Sequence, residues 1–212
     1  MSGGGGKECS HHKGKQKKKI QRLCGGLFIC LFILLLVFLI IWAVLQPRKP
    51  RFVLQDATVF NFNVSAPNLL SSNFQVTVAA HNPNERIGIF YDTLDAFAVY
   101  QSQQITYYTA IPPVYQGHKD NNVWSPFLYG VNVPIAPYNG AALTEDQSDG
   151  MINLLIKLDG KVRWKVGTFT TGRYHLHVRC LATLNFGNHA SNGVFVSTAM
   201  KYQIYQSCKV SV

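Results

Sequence analysis

The sequence predicts an antiparallel β-sandwich preceded by a single N-terminal transmembrane α-helix, and three observations predict it. Residues 25–45 carry no charged side chain. Beyond them apolar residues recur at every second position, the spacing of a half-buried strand. Clusters of Asn, Pro, Asp and Gly separate those runs as turns do. The 212 residues suffice for one core-bearing domain and an appendage. With 47% hydrophobic and 14% charged residues the chain is too apolar to be disordered. Five cysteines are too few for a disulfide scaffold.

The net charge of +10 is concentrated at one end. Seven cations (Lys7, Lys13, Lys15, Lys17, Lys18, Lys19 and Arg22) stand in residues 1–24 against one acid, Glu8. Arg48, Lys49 and Arg51 follow the apolar run, and after Phe52 ten basic residues nearly balance nine acidic ones. A nucleic-acid binder would spread its positive charge over its folded domain, so that class is set aside. An apolar run of about 20 residues rises about 30 Å, the thickness of a bilayer core. It exceeds the about 7–15 residues of a cleavable signal core. Trp42 suits a membrane interface, and Pro47 ends the helix. More cations before the run than after it orient the N-terminus to the cytosol. The expected layout is a basic cytosolic tail (1–24), a type II signal anchor (25–45), a juxtamembrane linker (46–56) and an extracellular β-sandwich (57–212). Cys24, at the expected membrane edge, is a candidate for palmitoylation or else an idle thiol. Gly3–Gly6 reads as a flexible tip, because no strand precedes it as a phosphate loop requires.

Within the expected domain Phe60, Phe62 and Val64 alternate with polar neighbours, as do Phe74, Val76, Val78 and Ala80. Val162, Trp164 and Val166 form a third such run, and Leu176, Val178 and Cys180 a fourth. Asn82-Pro83-Asn84, Pro112-Pro113 and Asp159-Gly160 provide turns. Residues 141–149 fit one helical turn or a short helix.

Chemistry is sparse. There is no zinc-protease, phosphate-loop, nucleophile-elbow or Cys-x-x-Cys pattern, and no acid pair that fits acid–base work. The expectation is no enzyme: no catalytic, cofactor-binding or metal-binding residue and no cofactor. His175 and His177 share a strand face, yet no third ligand lies nearby, so an exposed polar face is preferred to a metal pair. Cys180 and Cys208 fall on inward faces; an exported compartment favours a disulfide, with two separately buried thiols as the alternative. Asn63-Val64-Ser65 is a glycosylation sequon, with Asn63 on the polar face of its strand.

A hairpin at Leu158-Asp159-Gly160 would place Lys157, Lys161, Arg163, Lys165, Arg173, His175, His177 and Arg179 on one exposed sheet face. Like charges opposite one another destabilise a sheet. Such a stripe is either offset by acids elsewhere or retained for a polyanion, to which the imidazoles would add charge at acid pH.

Several segments resemble one plant family when taken in order. They are Gln46-Pro47 after the apolar run, then Asn82-Pro83-Asn84 leading to Ile87-Gly88-Ile89-Phe90-Tyr91-Asp92. Tyr115-Gln116-Gly117-His118-Lys119 follows, and Gly160-Lys161-Val162-Arg163-Trp164-Lys165-Val166-Gly167 runs on to Tyr174-His175-Leu176-His177-Val178-Arg179-Cys180. The chain is similar to the harpin-induced-like, or non-race-specific-disease-resistance-like, proteins, which carry a late-embryogenesis-abundant group-2 domain. The resemblance implies a fibronectin/immunoglobulin-like, all-β sandwich without enzymatic activity. It implies a single-pass plasma-membrane protein of defence, the hypersensitive response and stress, acting through protein contacts or membrane–cell-wall adhesion. Expected partners are the membrane itself, cytosolic or apoplastic defence proteins and acidic cell-wall polysaccharide. The competing expectation is a membrane-tethered sandwich that binds a lipid or another small hydrophobic ligand.

Overall fold

A computed structural model describes residues 11–44, 47–65, 67–185, 193–196 and 199–212. Of residues 11–22, 40–44 and 193–196 it describes the backbone alone. The expected roles of the Gly3–Gly6 tip, the tail cations and Trp42 therefore lie outside the described residues or side chains. The chain divides into two compact units, Met1–Gln46 and Pro47–Val212.

The first unit holds helix α1, His11–Val44. Its described side chains, residues 23–39, are almost all exposed. Here the transmembrane expectation is corrected: among the described residues no helix is long and apolar enough to cross a membrane. The membrane-anchored function falls with it. So do the type II topology, the plasma-membrane localisation with a cytosolic N-terminus and an extracellular domain, and the membrane as an integral partner.

The second unit begins with β1, Arg51–Ser65, and β2, Leu69–His81. Then come β3, Ile87–Tyr100, and the short strands β4, Gln103–Gln104, β5, Thr109–Ile111, and β6, Val114–Gln116. β7 is Asn121–Trp124 and β8 is Phe127–Pro134, followed by helix α2, Pro137–Ser148, with its proline in the first turn where no amide partner is lost. β9, Met151–Val166, precedes β10, Phe169–Thr170, and β11, Tyr174–Asn185. β12, Gly193–Val196, β13, Ala199–Ser207, and β14, Lys209–Ser211, complete it.

These strands form two antiparallel sheets. One has the order β12-β13-β1-β2-β7, with β8 also on β2; the other runs β14-β11-β9-β3-β4, with β5 and β6 on β3 and β10 on β9. Phe52, Leu54, Phe74, Val76 and Val78 from the first sheet meet Tyr91, Leu94, Ile156, Leu158, Val162, Trp164, Leu176 and Val178 from the second in one buried core. The expected class, an all-β fibronectin/immunoglobulin-like sandwich behind a transmembrane helix, is thus corrected to a sheet-rich fold accompanied by two helices, neither of them membrane-spanning among the described residues.

Two local differences from the sequence reading have physical causes. Asp159-Gly160 is no turn, because β9 runs straight through it, pairing Gly160 with Leu94 on one side and Leu176 on the other. β3 bulges between Tyr91 and Thr93, and a Cβ at Gly160 would overlap the carbonyl oxygen of Thr93. Glycine is needed there for close backbone approach rather than for a turn. A second bulge, in β1 between Val59 and Asn61, buries Val59 and leaves Phe60 41% exposed, so the expected alternation breaks at that point.

Three of the segments that carried the family resemblance, Asn82-Pro83-Asn84, Ile87–Asp92 and Tyr115–Lys119, meet in one hydrogen-bonded cluster. Asn82, fully buried, donates from Nδ2 to the carbonyls of Ile87 and Gly117, both at 2.8 Å. Its Oδ1 accepts from the Asn84 amide at 3.1 Å and from Asn84 Nδ2 at 2.9 Å. Asn84 in turn clasps the backbone of Arg48, accepting from its amide and donating to its carbonyl, each at 2.8 Å. Gln116, also fully buried, donates to the carbonyls of Ala80 and Asp120 and accepts from the Tyr91 hydroxyl at 2.9 Å. Burial pushes the Tyr91 phenol up from its ordinary value.

Candidate binding surfaces

The eight residues expected to form a basic face do lie on the second sheet, although by a different route. In β9 the even positions Ile156, Leu158, Val162 and Trp164 point inward, which turns Lys157, Lys161, Arg163 and Lys165 outward. In β11 Leu176, Val178 and Cys180 are inward, so His175, His177 and Arg179 are exposed beside them, with Arg173 just ahead of the strand. Of the ten cations after Phe52, all but Arg86, Lys119 and Lys201 belong to this face once Lys209 of β14 is included.

Acids neutralise part of it. Asp92 accepts two bonds from Arg163 Nε, at 2.8 and 3.0 Å, one from Arg163 Nη2 at 2.6 Å and one from Arg173 Nε at 3.1 Å. Hydrogen bonding from Arg163 first, then from Arg173, holds the Asp92 carboxyl below the usual range and raises the Arg163 guanidinium. Asp159 pairs with His177 at 2.9 Å, and the His175 and His177 rings lie nearly parallel with centroids 6.3 Å apart. Lys165 stands over Phe90 and Tyr115 at 5.7 and 5.3 Å.

The opposite end of the face has a different character. Lys157 is registered against Arg179, and Arg179 against Lys209, so three cations cross three adjacent strands in one row. Among the described residues no acid forms a salt bridge with any of the three. Lys157 also stands 6.0 Å over Phe97, whose ring meets Tyr108 edge-on at 4.8 Å. Tyr108 is 63% exposed. Lys209 and the neutralising Asp92 escaped sequence reasoning, because their strands are distant in sequence and only the register brings them to this face; Tyr108, just ahead of β5, is placed by its ring contact with Phe97.

At the edge where the chain enters and leaves the sheets, Lys49, Pro50, Arg51, Phe52, Val53, Ser207, Cys208 and Val210 line an open cleft of about 500 Å³. Cys208 is joined to Cys180 by a disulfide with Cα atoms 4.4 Å apart. Asn63 is exposed on β1, and Cys24 is exposed on α1. No three His, Cys, Asp or Glu among the described residues are placed to hold a metal ion.

A family model described as late embryogenesis abundant protein matches residues 77–180. The chain is 56% identical over 208 residues to NDR1/HIN1-like protein 1 of Arabidopsis thaliana, covering 97% of this chain and all of that one. NDR1/HIN1-like protein 12 of the same plant is 52% identical, with 97% and 99% of the two chains covered. NDR1/HIN1-like protein 26 is 40% identical over 73% of each. A solved protein from Archaeoglobus fulgidus aligns with 67% of this chain and 98% of its own at 8% identity and a TM-score of 0.34, too weak a likeness to carry any argument.

Proposed function

Because this chain belongs to the NDR1/HIN1-like family of plant proteins with a late-embryogenesis-abundant domain, we propose that its sheet-rich unit is a ligand-binding domain that takes a small hydrophobic molecule with an acidic head. The chain is non-enzymatic, in keeping with that family. The observation that carries the ligand reading is the composition of the cleft. Lys49 and Arg51 offer two cations at its rim, while the half-buried Val53 and Val210 offer apolar wall. Its about 500 Å³ falls within the range of small-molecule sites. The space between the sheets is occupied by buried side chains, so the ligand sits at the surface cleft and not inside the core.

Titration calorimetry of the full chain with dodecanoate and with dodecanol tests this. A charge-assisted hydrogen bond contributes about 1.5–3 kcal/mol, so the acid should bind at least about tenfold tighter than the alcohol. Lys49→Ala/Arg51→Ala should abolish that preference, and Lys201→Ala should leave it intact. Equal binding of acid and alcohol, unaffected by the cleft variant, would refute the proposal.

A further inference from the structure

The two sheets differ in charge. The second carries charged side chains on β3, β9, β11 and β14. Among the described residues the strands of the first carry only Arg51, Asp56 and Lys201, and the last two neutralise one another at 3.3 Å. No Asp, Glu, Lys or Arg occurs from Ala57 to Asn84 or from Asn121 to Thr144, which takes in the larger part of β1 and all of β2, β7 and β8. The outward face of these strands nevertheless exposes large apolar side chains. The bulge in β1 turns Phe60 outward, with its ring 5.8 Å from that of Phe127 on β8. Tyr129, next on the same face of β8, meets Tyr107 edge-on at 5.6 Å, and Phe127 and Tyr129 are each 49% exposed. On β2, registered beside these two rings, Gln75 and Asn73 are half-buried, and their side-chain amides form no hydrogen bond among the described residues.

The edge of β8 is already occupied. Thr109 Oγ1 donates to the Phe127 carbonyl at 2.7 Å, the Tyr107 amide to the Tyr129 carbonyl at 2.9 Å and the Tyr107 hydroxyl to the Val131 carbonyl at 3.1 Å. A partner must therefore lie on the face rather than add a strand to the sheet. We propose that the partner is a second copy of this chain, packed sheet on sheet about a two-fold axis. Two-fold symmetry sets one patch against the same patch. On the second sheet, with its excess of cations, that would bring like charges together. Here Asn, Gln, Ser and Thr both donate and accept, and rings pair with rings, so the face is complementary to itself. From β13 across β1, β2 and β8 to Tyr107 the face is about 24 Å wide, and it runs about 30 Å along β2. That area approaches the about 800 Å² each partner buries in an interface of standard size. The Asp56–Lys201 pair falls at its margin, where interfaces are polar.

Sedimentation equilibrium of the full chain tests this, with the site read by position because α1 also exposes apolar side chains. With p-benzoylphenylalanine in place of Phe127, photolysis of mixed isotopically light and heavy chains should give inter-chain cross-links to residues 58–61, 71–77 and 127–131. The same group in place of Phe169, on the second sheet, should give none to those residues. Tyr129→Glu and Tyr129→Lys should each raise the dimer Kd at least about tenfold, because like charges then meet across the interface. An equimolar mixture of the two should regain association as tight as wild type, which misfolded chains could not do. Phe169→Glu should leave the Kd unchanged. A full chain that stays monomeric at about 0.1 mM would overturn the proposal. So would cross-links from Phe127 to α1 alone, a loss equal in Phe169→Glu, or a loss that mixing the two Tyr129 variants does not restore.

Discussion

Replacing Asn82 with alanine removes all four hydrogen bonds of a side chain that has no access to water. Ile87 and Gly117 lose a donor to their carbonyls, and Asn84 loses the acceptor for its amide and for one amide hydrogen of its side chain. Each buried group left unpaired costs about 1–3 kcal/mol. Asn84 Nδ2 keeps its bond to the Arg48 carbonyl, and a strand carbonyl can hold a second partner, so about two groups are orphaned. The expected loss is therefore about 2–6 kcal/mol, a large share of the about 5–15 kcal/mol available to a folded domain. For a domain of this size that corresponds to about 8–16 °C in melting temperature at the middle of the range. Circular dichroism of the full chain, followed by heat and by urea, reads both numbers. The urea slope should not change, because the surface exposed on unfolding is the same. Asn84→Ala, which spares the bonds to Ile87 and Gly117, should fall between wild type and Asn82→Ala. A loss below about 1 kcal/mol for Asn82→Ala would refute the reasoning that this hub fastens the end of the sheets.

Two further outcomes follow from the second sheet. The Asp92 carboxyl is held below the usual aspartate value near 3.9, so its contribution to stability is complete above about pH 4 and is lost as pH falls through the lower folded value. The melting-temperature gap between wild type and Asp92→Asn should be constant from pH 7 to 5 and close as the pH falls below 4; an undiminished gap at pH 2 would contradict it. Gly160→Ala should cost about 1–3 kcal/mol or more in urea unfolding by forcing β3 away from β9, whereas Gly172→Ala, with no heavy atom near its added carbon, should be close to neutral.

The contrast between Gly160 and Leu176 shows what the sequence made legible. Leu176, Val178 and Cys180 announce their strand by alternation alone, because one face is buried along its whole length. The pattern at Phe74, Val76, Val78 and Ala80 is legible for the same reason, and so is the inward set Val162 and Trp164. Gly160 misleads, since close approach of a bulged neighbour and a tight turn both require glycine, and the neighbour is more than sixty residues earlier in the chain. Phe60 misleads likewise: a bulge shifts parity by one without any mark in the sequence. The basic face could be read in outline because alternation sets which side chains share a side. Its partial neutralisation could not, because Asp92 comes from β3, whose register no local pattern encodes. The apolar run at residues 25–45 was legible as hydrophobic, but hydrophobic length in sequence did not translate into a membrane-crossing helix among the described residues. The Asn82 and Gln116 hub was visible only as motif residues, since its distant partners lie 35–36 positions apart, and it proves to be scaffold rather than site.

The placement of the two chain ends of the sheet-rich unit has a mechanical consequence. Val53 is registered against Ser207, and the Cys208 amide donates to the Phe52 carbonyl at 2.9 Å, so the entering and departing segments are immediate neighbours. Tension between two such antiparallel neighbours would ordinarily unzip them one hydrogen bond at a time, a route of low resistance. The disulfide between Cys208 and Cys180 diverts that load. A pull on the last residues passes through the covalent bridge into β11, in the middle of the second sheet, and bypasses β13. A pull on the first residues enters β1, in the middle of the other sheet. The two tethers thus act on opposite sides of the core, and separating them requires prying the sheets apart across their whole apolar interface. Reduction of that one bridge converts a joint that must rupture all at once into one that peels.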